Sequence, residues 1–303
     1  MGDILLVIFG LAGLILGGEL LVRGAATAAR AFGVSPLVIG LTLVGFGTSA
    51  PELATSVQAA LADAPGIALG NVVGSNIGNI LLIMGLGALL APIGVDRAAL
   101  RGDMIALALA TLAATALIAT GGVSRGAGAV LLAGLAAYLW RTLATSPKVP
   151  GAREGTALGP LLLALAGLAI TIAAARALVL GASSLAAGLG VPEAVIGLTL
   201  VAIGTSLPEL VTTLIAARKR EMDLALGNIV GSNLFNILGI LGVTALVAPI
   251  PDVAAIRSFD VWVMLAATAA LLALLVTRPI LARVSGALAL LAYAAYLAAL
   301  FSM

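Results

Sequence analysis

The chain has 303 residues, of which 62% are hydrophobic and only 9% charged, with a mean hydropathy of +1.24. A soluble domain would be about 25% charged, so this composition describes an integral membrane protein; its net charge of +2 belongs to short loops and reports orientation, not a nucleic-acid surface. Cysteine and histidine are both absent, which excludes a disulfide framework, thiolate or imidazole metal ligands, and catalysis by a Ser/His or Cys/His pair.

Apolar runs of about 20 residues are needed to cross the hydrocarbon core as helices. Ten are present, at roughly 3 to 31, 36 to 62, 65 to 91, 103 to 121, 126 to 145, 158 to 188, 192 to 217, 223 to 249, 259 to 277 and 280 to 301. They leave no room for a soluble domain. The N-terminus has Asp3 and no basic residue before the apolar stretch, unlike a signal peptide, so that run is expected to stay as a helix. Lys and Arg favour cytoplasmic loops. With the N-terminus outside, the inner loops receive Arg30, Arg97, Arg101, Arg141, Lys148, Arg153, Arg218, Lys219, Arg220, Arg278 and Arg283, and the outer loops only Arg125 and Arg257. Both termini are therefore expected to be external, in a multi-pass protein of the cell (inner or plasma) membrane.

The chain repeats itself at an offset of 157. Residues 33–93 align without a gap on 190–250, with identity at 36 of 61 positions. The shared core is GTS, any residue, PE (Gly47 to Glu52, Gly204 to Glu209), then GN, two residues, GSN, two residues, N (Gly70 to Asn79, Gly227 to Asn236). Five helices per half give the two copies opposite polarity. The expected fold is thus an all-α polytopic membrane protein of ten helices in two inverted five-helix repeats: 1–145 with motif 33–93, a cytoplasmic linker 146–157, and 158–303 with motif 190–250. Such inverted repeats with broken helices are a secondary-transporter architecture.

Pro51 and Pro208 each lack an N–H and clash with the carbonyl four residues back, so the helices should open near Gly47 and Gly204 and free carbonyls that lipid cannot satisfy. Around the breaks lie Thr48, Ser49 and Glu52, and Thr205, Ser206 and Glu209. The partner helices add Ser75, Asn76 and Asn79, and Ser232, Asn233 and Asn236. Ser75 and Asn79 share a helical face at i, i+4, as do Ser232 and Asn236. Such oxygens suit a hard cation, which takes about 6 to 8 of them. Polar residues and glycines in membrane helices also serve as packing glue; for Asn71, Asn228, Asn76 and Asn233 that structural role is the expectation. A mid-membrane acid is expensive, so Glu52 and Glu209 read as functional. Glu19 and Arg176 occupy equivalent positions, so a salt bridge between them and a local Glu19 to Arg23 pair at i, i+4 are both open.

The paired GTS, any, PE and GSN, two residues, N motifs resemble the α-repeats of the cation/calcium antiporter superfamily, nearest the prokaryotic sodium/calcium exchangers. The motifs cover about 120 residues, and the hydropathy extends the resemblance to nearly the whole chain. It implies alternating access, with the second, third, seventh and eighth helices forming a central site and the long first and sixth sliding across it. By motif position, Glu52 and Glu209 would bind calcium. Thr48, Thr205, Ser49, Ser206, Ser75 and Ser232, with carbonyls near Gly45 and Ala202, would line sodium positions, and Asn79 and Asn236 would complete the middle. Many sodium/calcium exchangers carry Asp where this chain has Asn236, so two central carboxylates remain.

The leading expectation is a calcium/sodium antiporter without a cofactor, whose partners are its transported ions and the bilayer, working as a monomer. Calcium/proton exchange through the same glutamates and exchange of other divalent ions stay open. An intramembrane enzyme lacks its groups: there is no HExxH and no Asp-rich diphosphate motif. A non-transporting scaffold would tolerate loss of either glutamate.

Overall fold

The computed structural model describes residues 2–145, 156–190 and 202–302. In chain order the helices are α1 (Gly2–Phe32), α2 (Pro36–Thr48), α3 (Ala50–Leu61), α4 (Pro65–Leu90), α5 (Arg97–Ala119), α6 (Arg125–Thr145), α7 (Leu158–Gly188), α8 (Ala202–Thr205), α9 (Leu207–Arg218), α10 (Met222–Val247), α11 (Ile256–Thr277) and α12 (Arg283–Ser302). Among the described residues eight helices are long and apolar enough to cross a membrane, or nine with the bent pair α2 and α3 taken as one span. The span expected over 192 to 217 is described only from residue 202, as α8 and α9. The linker is described only at Thr156 and Ala157.

Helix α5 begins at Arg97, six residues before the apolar run that announces it, because Asp96 caps it: its Oδ1 accepts from the N–H groups of Ala98 and Ala99 at 3.0 and 3.1 Å. Gly33 and Gly190, equivalent in the repeat, follow α1 and α7 with φ of 68° and 82°, a conformation that a residue without Cβ adopts freely and that ends a helix.

The long helices α1 and α7 run antiparallel on a seam of small residues. Gly10 lies against Leu178, Gly17 against Thr171 and Gly24 against Ala164, and a Cβ on Gly17 would come within 2.6 Å of the Thr171 nitrogen. Small residues let membrane helices approach where lipid offers no hydrophobic drive to associate them. The two most buried spans are α4 and α10. Gly227 and Gly231 of α10 pack directly on the backbone of α2 at Leu37 and Leu41.

Four two-residue strands, which hydropathy does not announce, tie the halves together: β1 (Ile93–Gly94) pairs antiparallel with β4 (Ile280–Leu281), and β2 (Gly122–Val123) with β3 (Ile250–Pro251). Ile93 opposes Leu281 and Val123 opposes Ile250, all four buried. Each bridge joins two loops that the Lys and Arg placement assigns to one face.

Candidate functional site

The chain breaks at Ser49 (φ −84°, ψ 9°) between α2 and α3, which bend by 43°. It breaks again at Ser206 (φ −90°, ψ 5°) between α8 and α9. Both breaks fall two residues after the glycines where the sequence suggested them. The reason is that Pro51 and Pro208 enter the first turn of the following helix, where a missing N–H costs nothing. Gly47 and Gly204 serve packing instead: a Cβ on either would collide with Leu168 or Val179 of α7.

Opening the chain at the serines aims each one across the repeat. Ser49 Oγ donates to Glu209 Oε1 at 2.7 Å, and Ser206 Oγ donates to Glu52 Oε1 at 3.1 Å. The two hydrogen bonds are equivalent under the 157-residue offset, each running from one copy of the motif to the carboxylate of the other. Both glutamates are at most 2% exposed, and no Lys or Arg among the described residues pairs with either. The second oxygen of each, Oε2, is buried without a hydrogen-bond partner.

The partner helices complete the layer through wide turns that helical periodicity does not reveal. Asn79 opens a π-helical turn, Asn79–Ile83, in α4, and Asn236 lies in another, Phe235–Ile240, in α10. Such turns often mark functional sites. Both side-chain atoms of Asn79 and of Asn236 are buried and unpartnered. A buried polar group without a partner costs about 1 to 3 kcal/mol, so these six atoms, four of them oxygens, are unsatisfied polar groups held in the interior.

The remaining predicted residues divide by their hydrogen bonds. Asn71 Nδ2 donates to the Glu52 carbonyl at 3.0 Å and to Ser56 Oγ at 2.9 Å, and Asn228 Nδ2 donates to the Glu209 carbonyl at 3.2 Å and to Thr213 Oγ1 at 2.9 Å. These asparagines brace the glutamate backbones, as their structural reading required. Asn76 and Asn233 bond Val72 and Ile229 through Nδ2 but each keeps a buried, unpartnered Oδ1. Thr48 Oγ1 lies 3.0 Å from the Val44 carbonyl and 3.2 Å from Asn228 Oδ1. The Gly45 carbonyl already accepts Ser232 Oγ at 3.0 Å. Ser75 is buried, Thr205 ends α8, and the backbone of Ala202 heads that helix.

Sequence reasoning missed one element beside the layer: Phe46 stacks on Phe235 with ring centroids 4.5 Å apart. The positions equivalent to them are Ile203 and Gly78, so the repeat carries no signal for this pair. Reasoning from the repeat also misassigned Glu19. It pairs with neither Arg176 nor Arg23 but with Lys219 beyond the end of α9, because α1 packs on α9 through Gly18, which meets Val211 and Ile215.

The profile of the sodium/calcium exchanger protein family matches residues 3–144 and 159–302. The chain belongs to that family. Among its relatives, this family member is 40% identical over 312 residues to the putative antiporter CaxA of Alkalimonas amylolytica, covering 98% of each chain. It is 48% identical to the sodium/calcium exchanger MaX1 of Methanosarcina acetivorans over 101 residues, 33% of this chain and 29% of the other. Solved structures of the sodium-calcium exchanger NCX_Mj superpose with a TM-score of 0.89 at 34% identity over 98% of both chains. The family and these relatives support a membrane-embedded cation antiporter.

Proposed function

We propose that the protein exchanges calcium for sodium across the cell membrane by alternating access, both ions competing for one site built on Glu52 and Glu209. The observation that carries this reading is the pair of buried carboxylates, each with an unpartnered oxygen and no basic neighbour among the described residues. Two uncompensated charges in low dielectric call for a cation.

Calcium takes the two carboxylates and the carboxamide oxygens of Asn79 and Asn236, a set of hard oxygen donors. Sodium uses the hydroxyls of Ser49, Ser206, Ser75 and Ser232, the Thr48 and Thr205 region, and carbonyls near Gly45 and Ala202. Ser49 and Ser206 donate their protons to the glutamates and keep oxygen lone pairs for a cation. The site's charge of −2 is neutralised by one calcium or two protons, and three sodium ions load it to +1. The empty site is too costly to carry across the membrane, and that cost makes exchange obligatory. The small-residue seam between α1 and α7 supports their sliding as one unit across the site.

The two halves, 1–145 and 158–303, enter the membrane with opposite polarity and both termini lie outside. The strand bridges support this arrangement, since each joins loops assigned to the same face. Calcium/proton exchange is the second reading, favoured by Asn236, which leaves only two acids to carry two protons.

The test is calcium-45 uptake into proteoliposomes driven by an outward sodium gradient, set against an outward proton gradient without sodium, with Glu52→Gln as control. Sodium-driven uptake that the variant loses supports the proposal. Uptake driven by protons alone assigns the other coupling ion, and full uptake by the variant overturns the site.

A further inference from the structure

Away from the ion site, on the face richest in Arg and Lys, four helix ends enclose a cavity of about 610 Å³. Its walls come from the starts of α2, α5 and α10 and the end of α6. Five charged side chains border it: Asp96, Arg101 and Asp103 of the α5 segment, Arg141 of α6 and Asp223 of α10. Among the described residues none of the five forms a salt bridge. Thr142, 5% exposed, also lines the cavity, and its Oγ1 is buried without a hydrogen bond. Asp103 is equally buried, with Tyr138 Oη donating to its Oδ1 at 3.2 Å.

The other half of the molecule builds the same joint with only one of these five charges. Asp260, equivalent to Asp103, accepts a hydrogen bond from Tyr296 at 2.8 Å, so the Asp–Tyr clasp is duplicated. At the positions matching Asp96, Arg101 and Asp223 stand Val253, Ser258 and Gly66, and Ala299 and Leu300 stand where α6 has Arg141 and Thr142, counting from the tyrosines. The fold therefore does not require the other four charges at those positions. The second half carries instead the Asp252–Arg257 ion pair, one residue earlier in the chain.

Volume and chemistry narrow the ligand. The cavity is within the range of small-molecule sites, about 300 to 1,000 Å³, and far exceeds a single cation, whose ligands lie about 2.3 to 2.6 Å from it. Its lining carries both signs of charge. Leu37 and Leu41 form an apolar wall that continues to Ile105, 54% exposed on the outer surface of α5. Trp140, next to Arg141, is 75% exposed, as suits an aromatic side chain at the headgroup level.

We propose that this cavity binds the headgroup of an aminophospholipid. The phosphate sits between Arg101 and Arg141, since guanidinium forks match phosphate oxygens, with the Thr142 hydroxyl as a further donor. The ammonium is held by Asp96 and Asp223, and the glycerol and first methylenes follow Leu37 and Ile105 toward the bilayer. Gly102 is part of the design: the Arg141 guanidinium lies against it, in space that any Cβ would fill.

Native mass spectrometry of the delipidated full-length protein tests this. It is titrated with phosphatidylethanolamine, phosphatidylcholine and phosphatidylglycerol of matched chains, and with soluble glycerophosphoethanolamine as competitor. Phosphatidylethanolamine should bind about tenfold more tightly than phosphatidylcholine, whose quaternary ammonium cannot donate hydrogen bonds to Asp96 and Asp223. Arg141→Gln should weaken both phosphatidylethanolamine and phosphatidylglycerol, whereas Asp223→Asn should weaken phosphatidylethanolamine alone. Both variants should elute monodisperse and retain calcium uptake, which separates a lost lipid from a lost fold. Equal retention of the three lipids, or binding that neither variant changes, overturns the proposal. So does phosphatidylglycerol outcompeting phosphatidylethanolamine, which would leave a phosphate site only. Calcium adducts lost in Asp223→Asn without a lipid effect would make it a cation site. Glycerophosphoethanolamine binding as tightly as the lipid would assign a soluble ligand in place of the membrane.

Discussion

The layer at Glu52 and Glu209 and the turns at the ends of α3 and α9 derive from the same duplicated segment, yet they have diverged to opposite degrees. In the layer the hydrogen bonds to the two glutamates come in matching pairs: Ser49 to Glu209 and Ser206 to Glu52, Asn71 to the Glu52 carbonyl and Asn228 to the Glu209 carbonyl. Within three residues of the ends of those helices the correspondence fails. Lys219 and Glu221 hold Glu19 and Arg30 of α1, whereas the equivalents of Lys219 and Glu221 are Ala62 and Ala64. Under the proposed alternating access, a site that opens to both faces would keep its symmetry, and the surfaces that meet only one face would be free to lose it.

The strongest way to break this comparison is at the carboxylates. Glu52→Gln and Glu209→Gln should each reduce calcium uptake by about 100-fold or more, the scale on which a buried charged partner is removed, and by similar factors. A large effect of one and a small effect of the other would show that the symmetry is only formal. Next, Gly17→Val should impair transport strongly, because its side chain would push into Thr171 and part α1 from α7. Uptake rates beside a thermal unfolding curve separate this from global instability.

Ser49→Ala and Ser206→Ala should each raise the half-saturating sodium concentration by about tenfold, since a hydrogen bond to a charged group contributes about 1.5 to 3 kcal/mol. The smallest effect is expected at the asymmetric turns. Lys219→Glu should change exchange rates by no more than about fivefold, because exposed ion pairs contribute about 0 to 1 kcal/mol. The shift should shrink in high salt, and adding Glu19→Lys should reverse it. Ala62→Lys should leave the rates unchanged.

The motif residues lead directly to the layer, because two acids in otherwise apolar spans have few reasons to be there. The asparagine roles were half legible. Asn71 and Asn228 act as structural braces, but nothing in their spacing distinguishes them from Asn79 and Asn236, whose atoms stay unpartnered. That difference comes from the π-helical turns at Asn79–Ile83 and Phe235–Ile240, which shift side chains around the helix without a sequence mark. Glu19 failed for a related reason: a repeat offset relates positions, not neighbours, and α1 meets α9 where the offset suggested α7.

Composition and repetition by themselves determined that the chain lives in the membrane, that its motif occurs twice, and that each copy carries one intramembrane glutamate. Apolar length and intramembrane charge are local properties, and identity between the copies can be counted. Only the tertiary structure decided where the chain breaks, which serine holds which glutamate, which strands bridge the halves, and that five charges surround a cavity on one face. Those are matters of which helix lies beside which, set by close approach at glycines such as Gly17, Gly24 and Gly231, and such approach depends on packing in three dimensions.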